Sequence, residues 1–265
     1  MITPQSRTSN AHYVNGWRKF AQRSKSGECR EANGILMAWS GVGTPFLNVA
    51  LLTKPVRGAA DLEERAQFAV EYATAKKLLW MFPICQDFIP TRLRPKQDAI
   101  LAKFGLKPVE AFSGMLADHV KRPVRALPTD MEFRSFQDVQ ARYDNAVLNV
   151  QCYGMPDAWG RDVVDQGALC TPDEYGCTGY LDGKPVTSAM AMPLDGWLYV
   201  ALVATREEHR KKGYAEAAMR YCLEAASKAT GIQRSSLHST ESGYHLYEQM
   251  GYRDVSKFVV YAAAE

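Results

Sequence analysis

Hydrophobic and polar positions in residues 175–205 follow the pattern of short strands separated by tight turns. Two Asp-Gly pairs, Asp182-Gly183 and Asp195-Gly196, interrupt this stretch. Asp-Gly between strand-like runs is a strong signal for a two-residue hairpin turn. The pattern therefore predicts three consecutive antiparallel strands, which cover residues 175–181, 186–192 and 197–205.

A helical pattern follows these strands. Residues 215–230 are rich in alanine and end at Gly231, which is typical of a helix closed by a C-terminal glycine. Its buried stripe is predicted to comprise Ala215, Met219, Cys222, Leu223 and Ala226. Beyond the helix we expect a strand over 235–239, a short helix that ends at Gly251, and a last strand over 257–261.

The first half of the chain begins with two predicted helices. We expect an N-terminal helix anchored by Trp17 and Phe20. A second helix is predicted to open at Asp61, because Glu64 lies three residues later, at the spacing of a capping box. The predicted buried face of this helix comprises Leu62, Ala66, Ala69, Val70 and Ala73.

The rest of the first half repeats the order seen in the second. A buried strand is predicted over 78–82, ended by Pro83, and a helix over 95–104, stopped by Gly105. Residues 104–109 resemble residues 250–255, because in both a helix ends at a glycine that an apolar residue and a base follow. This short repeat favours two copies of one α/β sandwich.

A boundary between the two copies is expected in residues 119–128, HVKRPVRALP, where prolines and basic residues indicate an exposed linker. We therefore predict one domain over residues 1–124 and another over 125–265. Each is large enough to have its own hydrophobic core.

The composition excludes several classes of protein. The chain has 265 residues, of which 46% are hydrophobic and 23% charged, as in an ordinary globular protein rather than a disordered, collagen-like or coiled-coil chain. A net charge of +3 is too small to favour nucleic acid or an anionic membrane as a partner. No apolar run approaches the about 20 residues of a membrane-spanning helix.

The six cysteines are scattered without a CxxC pair, and no secretory signal is visible. We therefore expect reduced thiols in a cytoplasmic protein and no metal site. Residues 1–27 carry bases and no acid, which would also suit a transit peptide, but we favour the N-terminal helix. Oligomeric state is left open.

Residues 203–215 carry the clearest chemical signal. A strand ends, a basic loop with one glycine follows, and a strong helix begins. The N–H groups and the dipole of a helix N-terminus attract phosphate, and Gly213 permits close approach of the backbone. The segment therefore predicts a pyrophosphate site, with a solvated basic turn as the alternative.

This segment resembles a known family. Arg210-x-x-Gly213-x-Ala215 after a strand is similar to the pyrophosphate-binding motif of the GNAT superfamily of acetyl-CoA-dependent acyltransferases, and residues 240–252 look like its second signature. Residues 44–49 and 113–115 resemble elements of tandem members, in which a degenerate N-terminal copy precedes an active one. The resemblance implies an α/β (α+β) fold of two GNAT-like mixed-sheet sandwiches, each a central sheet flanked by helices.

The resemblance also implies roles for individual residues. Acetyl-CoA would be the acyl donor, and Tyr247 would protonate the departing thiolate. Thr240 stands where the family often has Asn, and its hydroxyl would contact the cofactor. The backbone contacts to pantetheine would come from the strand residues Val203, Ala204 and Thr205. The pyrophosphate would be held by Arg210, Lys211, Lys212, Gly213, Tyr214 and Ala215.

The reaction needs an oxyanion donor, for which we expect the Val203 N–H, and a base. Residues 199–204 contain no carboxylate. Candidate bases are therefore Glu174, Asp195, Glu241 and His209, with a water chain as an equal alternative. We interpret His238 as a packed side chain. Trp159, Trp197 and Tyr153 are interpreted as core aromatics, with an acceptor pocket as the alternative.

The sequence thus predicts an N-acyltransferase that moves an acetyl group to an amine of an unidentified small molecule or peptide. The alternative is a non-catalytic acyl-CoA-binding module of the same fold. Aligning Gly251 with Gly105 places Leu101 opposite Tyr247, so we expect one active site per chain, in the C-terminal copy.

Overall fold

The computed structural model describes residues 2–263, which divide into two compact units. The first unit comprises the chain up to Met115, the segment Ser239–Glu241 and the residues from Asp254 onward. The second comprises Leu116–His238 and Ser242–Arg253. The last strand of the chain is therefore part of the first unit.

The first unit contains three helices and six strands. Its helices are α1 (Pro4–Arg23), α2 (Ala59–Lys76) and α3 (Gln97–Ala102). Its strands are β1 (Glu28–Ala32), β2 (Ile35–Trp39), β3 (Asn48–Leu52), β4 (Phe82–Cys85), β5 (Leu106–Ala117) and, after the elements of the second unit, β11 (Arg253–Ala263). Strands β1, β2 and β3 form an antiparallel sheet, and β4, β11 and β5 lie side by side in that order.

The second unit contains the remaining elements. Its helices are α4 (Val139–Cys152), α5 (Asp157–Asp165), α6 (Tyr214–Thr230) and α7 (Glu241–Gln249). Its strands are β6 (Glu132–Ser135), β7 (Tyr175–Leu181), β8 (Lys184–Leu194), β9 (Trp197–Thr205) and β10 (Ser235–Ser239). The sheet order is β10-β9-β8-β7-β6, with β10 parallel to β9 and the other neighbours antiparallel.

Helices α4 and α6 lie on opposite faces of this sheet. The Thr178 hydroxyl donates a hydrogen bond to the carbonyl of Ala141 in α4 at 2.7 Å. The adjacent Cys177 thiol contacts the carbonyl of Ala218 in α6 at 3.7 Å. Because successive side chains of a strand point to opposite faces, the two contacts assign one helix to each face.

Most elements expected for the second half are confirmed. The strands over 175–181, 197–205 and 235–239 have the predicted bounds. Asp182 and Gly183 have φ values of 48° and 73°, as a type I′ hairpin turn requires. Helix α6 ends at Gly231 as predicted. Ala215, predicted to be buried, is half-buried, and Tyr214 is buried beside it.

Three expectations for the first half are wrong in detail. Helix α2 begins at Ala59 rather than at Asp61, and Asp61 accepts hydrogen bonds from Arg57 and Arg65 instead of capping the helix. Val70 on this helix is half-buried. The strand expected over 78–82 is β4, which includes Pro83; a proline is tolerated there because β4 lies at the end of the order β4-β11-β5.

No helix among the described residues is both long and apolar enough to cross a membrane. All six cysteines are free thiols. Within residues 2–263, no group of three or more His, Cys, Asp or Glu side chains could hold a metal ion.

Candidate active site

Strand β9 carries a bulge close to its end. Ser188 pairs with Ala204 and Met190 pairs with Ala201, so two residues, Leu202 and Val203, lie opposite the one residue between Ser188 and Met190. Leu202 adopts a left-handed conformation with φ of 55°. A bulge of this kind turns backbone groups out of the ladder.

Strand β9 also separates from β10 at this point. Their parallel pairing extends from Leu198–Ser235 to Val200–Leu237, while β9 continues to Thr205. Residues 201–205 therefore have no partner on this side in the described pairing of β9 and β10. An open strand edge can pair with an extended ligand such as the pantetheine arm of CoA.

The loop after β9 presents backbone donors. Arg210 N–H donates to the Glu207 carbonyl at 3.1 Å, which closes the first turn of the loop. Within the residues that the structure describes, the N–H groups of Lys211, Lys212 and Gly213 have no protein acceptor. Lys211 and Gly213 are both left-handed, with φ of 61° and 88°. Left-handed residues before a helix form a concave anion-binding backbone, and the dipole of α6 adds to it.

Positive charge surrounds these N–H groups. Arg210, Lys211 and Lys212 are exposed. Arg210 Nε donates to the carbonyl of Thr205 at 3.1 Å, and Lys212 Nζ donates to that of Glu208 at 3.0 Å. These bonds hold two of the cations against the loop, and the donor set fits a phosphate group.

The structure distinguishes between the three predicted strand residues. Thr205 already uses its carbonyl to accept from Arg210, and its hydroxyl pairs with that of Thr187 at 2.8 Å. The carbonyl of Ala204 accepts from Thr187 Oγ1 at 3.0 Å. Val203 is half-buried and lies in the bulge. Of the three, Val203 therefore combines the open edge with the bulged backbone.

Tyr247 lies on α7 and is 8% exposed. Burial raises the pKa of its phenol, and the charges of Tyr153 and Tyr252 raise it further. Its hydroxyl makes no hydrogen bond to other described residues. Tyr247 thus stays protonated at neutral pH and retains a hydroxyl hydrogen that a ligand could accept.

Gly243, one turn before Tyr247, was missed by sequence reasoning. A Cβ atom at Gly243 would lie 2.7 Å from Cε2 of the Tyr247 ring and 3.2 Å from its hydroxyl oxygen. Side chains on a helix lean toward its N-terminus, so residue 243 must lack a side chain for this ring to lie where it does. The glycine within the second signature was the available signal.

The remaining candidates are distributed differently. Thr240 precedes α7 within the segment Ser239–Glu241 of the first unit, so it remains a prediction. Glu174 is 4% exposed and accepts from the Thr171 N–H at 2.9 Å, which closes a turn. Asp195 is the left-handed turn residue of a hairpin. His209 ends a short turn after β9. Glu174 and Asp195 thus have local structural roles, whereas the buried Nδ1 of His209 has no hydrogen-bond partner among the described residues.

Two aromatic residues differ from a plain core interpretation. Tyr153 is 49% exposed and is therefore not a core aromatic. Trp197 is half-buried under the guanidinium of Arg234, 4.8 Å from its ring centre. His238 is half-buried, and its Nδ1 is hydrogen-bonded to the Tyr199 hydroxyl at 2.9 Å.

Comparisons with known proteins agree with this geometry. Residues 143–252 match the model of the acetyltransferase (GNAT) family. The chain resembles a GCN5-related N-acetyltransferase from Kribbella flavida, with a TM-score of 0.72 and 15% identity over 100% of this chain and 97% of that one. It also resembles a GCN5-related N-acetyltransferase from Sphaerobacter thermophilus, with a TM-score of 0.59 and 12% identity over 98% of this chain and 93% of that one. A search of curated proteins finds no match.

A third solved structure bears on the tandem arrangement. It is a tandem GNAT protein from the clavulanic acid biosynthesis pathway, with a TM-score of 0.53 and 13% identity over 97% of this chain and 94% of that one. The expected fold of two GNAT-like mixed sheets is thereby confirmed. The matched residues 143–252 include strand β9, the loop after it and Tyr247. Residues 143–252 thus match the GNAT acetyltransferase family, and the whole chain shares the fold of GNAT proteins, which supports acyl transfer in general.

Proposed function

We propose that the protein is an acetyl-CoA-dependent N-acetyltransferase whose acceptor is a primary amine. The observation that carries the proposal is the run of unpaired N–H groups at residues 211–213, directly after a bulged strand with an open edge. A phosphate cradle and a free strand edge, separated by a few residues, suit the pyrophosphate and the pantetheine arm of one ligand.

Bound acetyl-CoA would supply an activated thioester. The N–H groups of residues 211–215, beside the side chain of Arg210, would hold its pyrophosphate, and the backbone at 203–205 would hold its arm. The Val203 N–H would stabilise the negative charge that develops on the carbonyl oxygen. Thr240 is proposed as a hydroxyl contact.

Tyr247 is proposed to donate a hydrogen bond, and then a proton, to the leaving sulfur. Its raised pKa keeps it protonated at neutral pH. A free thiol has a pKa of about 8.5, below that of tyrosine at about 10. Proton transfer from the phenol to the free thiolate is therefore uphill, so the main contribution of Tyr247 is a hydrogen bond to the charge that develops on sulfur.

The direct test is thiol release from acetyl-CoA in the presence of four classes of primary amine. The panel contains an aliphatic diamine, an α-amino acid, an aminoglycoside and the N-terminal amine of a short peptide. Amine-dependent release, with acetylated amine identified by mass, supports the enzyme. Tight CoA binding without release for any amine would support the non-catalytic alternative instead.

We further propose one catalytic domain, residues 125–265, after a degenerate domain, residues 1–124, in a cytoplasmic protein. Calorimetric titration should then give one CoA per chain. A second equivalent of similar affinity, with Gly213→Val abolishing only one of the two, would contradict the single-site proposal.

A further inference from the structure

The peptide group between Leu202 and Val203 is held from one side. Its carbonyl oxygen accepts a hydrogen bond from Ser188 Oγ at 2.9 Å, and Asn149 Nδ2 lies 3.4 Å from the same oxygen. A trans peptide is planar, and its N–H points opposite to its carbonyl. Bonds that fix the Leu202 carbonyl therefore also fix the direction of the Val203 N–H.

Asn149 sets the direction of the Ser188 hydroxyl. Its Nδ2 donates to Ser188 Oγ at 3.0 Å. Because the hydroxyl oxygen accepts this bond, its single hydrogen is available to the Leu202 carbonyl. The result is a chain of two hydrogen bonds, from Asn149 on helix α4 to the Ser188 hydroxyl on strand β8, and from that hydroxyl to the Leu202 carbonyl in the bulge of strand β9.

Helix α4 holds this chain rigidly. The second hydrogen of Asn149 Nδ2 goes to the Asn145 carbonyl at 2.9 Å, and Asn145 Nδ2 donates to the Cys177 carbonyl at 3.1 Å. Ser188 and Asn145 are fully buried, and Asn149 is 9% exposed. A buried polar network with satisfied members specifies one geometry, since any other would leave polar groups unpaired.

The conformation of Leu202 needs such support. A non-glycine residue with φ of 55° is strained, and it persists only where its surroundings determine it. Sequence reasoning assigned the oxyanion role to the Val203 N–H without any residue to aim it.

We propose that Ser188 and Asn149 are positioning residues, which orient the Val203 N–H toward the thioester carbonyl by holding the opposite end of the same peptide group. The inference rests on the proposed acetyl transfer. It assigns a catalytic consequence to two buried side chains that lie on the α4 face of the sheet.

The test compares Ser188→Ala with Thr178→Val. Both remove a fully buried hydroxyl that donates to a backbone carbonyl, at 2.9 Å in one case and 2.7 Å in the other. Ser188→Ala should lower kcat about tenfold with the amine that wild type uses best, and leave the KM for acetyl-CoA within twofold. That loss is smaller than the about 10²–10³-fold loss of kcat expected when an oxyanion donor is removed altogether, because the Val203 N–H is still present. Thr178→Val should keep wild-type kcat.

Equal losses of kcat in the two variants, at equal thermal stability, would reduce Ser188 to a structural residue and overturn the inference. Asn149→Leu gives an independent test, since it leaves the Ser188 hydroxyl in place but undirected. We expect a loss of kcat smaller than that of Ser188→Ala. Unchanged kcat in Asn149→Leu would remove Asn149 from the assignment.

Binding separates this inference from the proposed function. In wild type, a hydrogen bond from Val203 should make acetyl-CoA bind more tightly than CoA, and Ser188→Ala should reduce that affinity ratio at least threefold. The ratio is measurable by calorimetry even if no amine supports thiol release, in which case the proposed function fails but the aiming of Val203 is still decided. A ratio that Ser188→Ala leaves unchanged contradicts the inference.

Discussion

The two units contain the same junction, an antiparallel strand followed by a loop and a long helix, but its polar groups are used in opposite ways. In the first unit the loop between β3 and α2 is closed on itself. Arg65, 3% exposed, donates to the carbonyls of Lys54 and Pro55 at 2.6 and 3.2 Å, while Asp61 accepts the Arg57 N–H at 2.7 Å. In the second unit the corresponding loop leaves a run of N–H groups without protein acceptors.

The comparison shows which groups close the first junction to an anion. An internal carboxylate at the start of the helix supplies the negative charge that a phosphate would otherwise bring. Proline at position 55 removes one donor altogether. The polar groups of the first junction thus bind one another, whereas the N–H groups of the second are available to a ligand.

The segments that precede Gly105 and Gly251 show the same contrast. Both glycines are left-handed, with φ of 71° and 99°, and each follows a short helix. Tyr247 stands four residues before the second glycine. Leu101, four residues before the first, is fully buried and carries no hydroxyl. At this position the first unit thus has a packed leucine, whereas the second has a tyrosine, which we propose as the proton donor.

Arg65→Met should have the largest effect. It leaves Asp61 buried and removes the donors to two loop carbonyls, so the free energy of unfolding should fall by about 3–5 kcal/mol. The matched control is Arg57→Ala, whose guanidinium pairs with the same Asp61 but is 82% exposed; its stability should not change measurably. Chemical denaturation decides this, and equal effects in both variants would show that the first junction is not locked by Arg65.

Tyr247→Phe should lower kcat at least about tenfold, towards the about 10²–10⁴-fold typical of general acid–base groups, with little change in KM for acetyl-CoA. The control is Tyr252→Phe, which loses a buried hydrogen bond to Ser235 Oγ at 2.7 Å. That variant should lose stability but keep kcat. Normal turnover of Tyr247→Phe across the pH range would end its role as proton donor.

Gly213→Val should weaken CoA binding about tenfold, which corresponds to about 1.4 kcal/mol. The new side chain would be strained at φ of 88°, and its Cβ would lie 3.2 Å from Pro128 Cδ. Gly231→Val, at φ of 75° on the other end of α6, introduces similar strain into open space. Calorimetry with CoA should show a loss of affinity for the first variant only.

Acid should remove the stabilisation that ionised Asp61 gives the loop between β3 and α2, and this is the smallest of the expected effects. Burial opposes ionisation of Asp61, but hydrogen bonds from Arg57 and the charge and hydrogen bond of Arg65 outweigh it, so its pKa is lowered. A lowered pKa stabilises the fold above the unfolded pKa of about 3.9, and this stabilisation is lost as pH falls through the folded value. The stability gap between wild type and Asp61→Asn should therefore shrink below about pH 4 in denaturation curves. A gap that stays constant would contradict the assignment.

The features that could be predicted from the sequence are those that depend on residues close to one another in the chain. Two-residue turns such as Asp182-Gly183 and the terminal glycine of α6 act through their own φ preferences, so the strands and helix they bound were predictable. The loop that we propose as the phosphate site is also local, since a basic segment with Gly213 before a helix provides its donors within a few residues. These parts of the fold and of the candidate site could therefore be predicted from motifs in the sequence.

Tertiary structure alone decided the rest, because contacts between distant residues leave no local pattern. Asn149 Nδ2 lies near the Leu202 carbonyl although 53 positions separate the two residues. It donates to Ser188 Oγ across 39 positions. Strand β11 pairs with β4 in the first unit, although its neighbours in sequence belong to the second. Arg65 is buried because the carbonyls of Gly34 and Lys54, from two separate loops, accept hydrogen bonds from its guanidinium. The free energy of burying a polar group depends on partners that only the folded chain brings together.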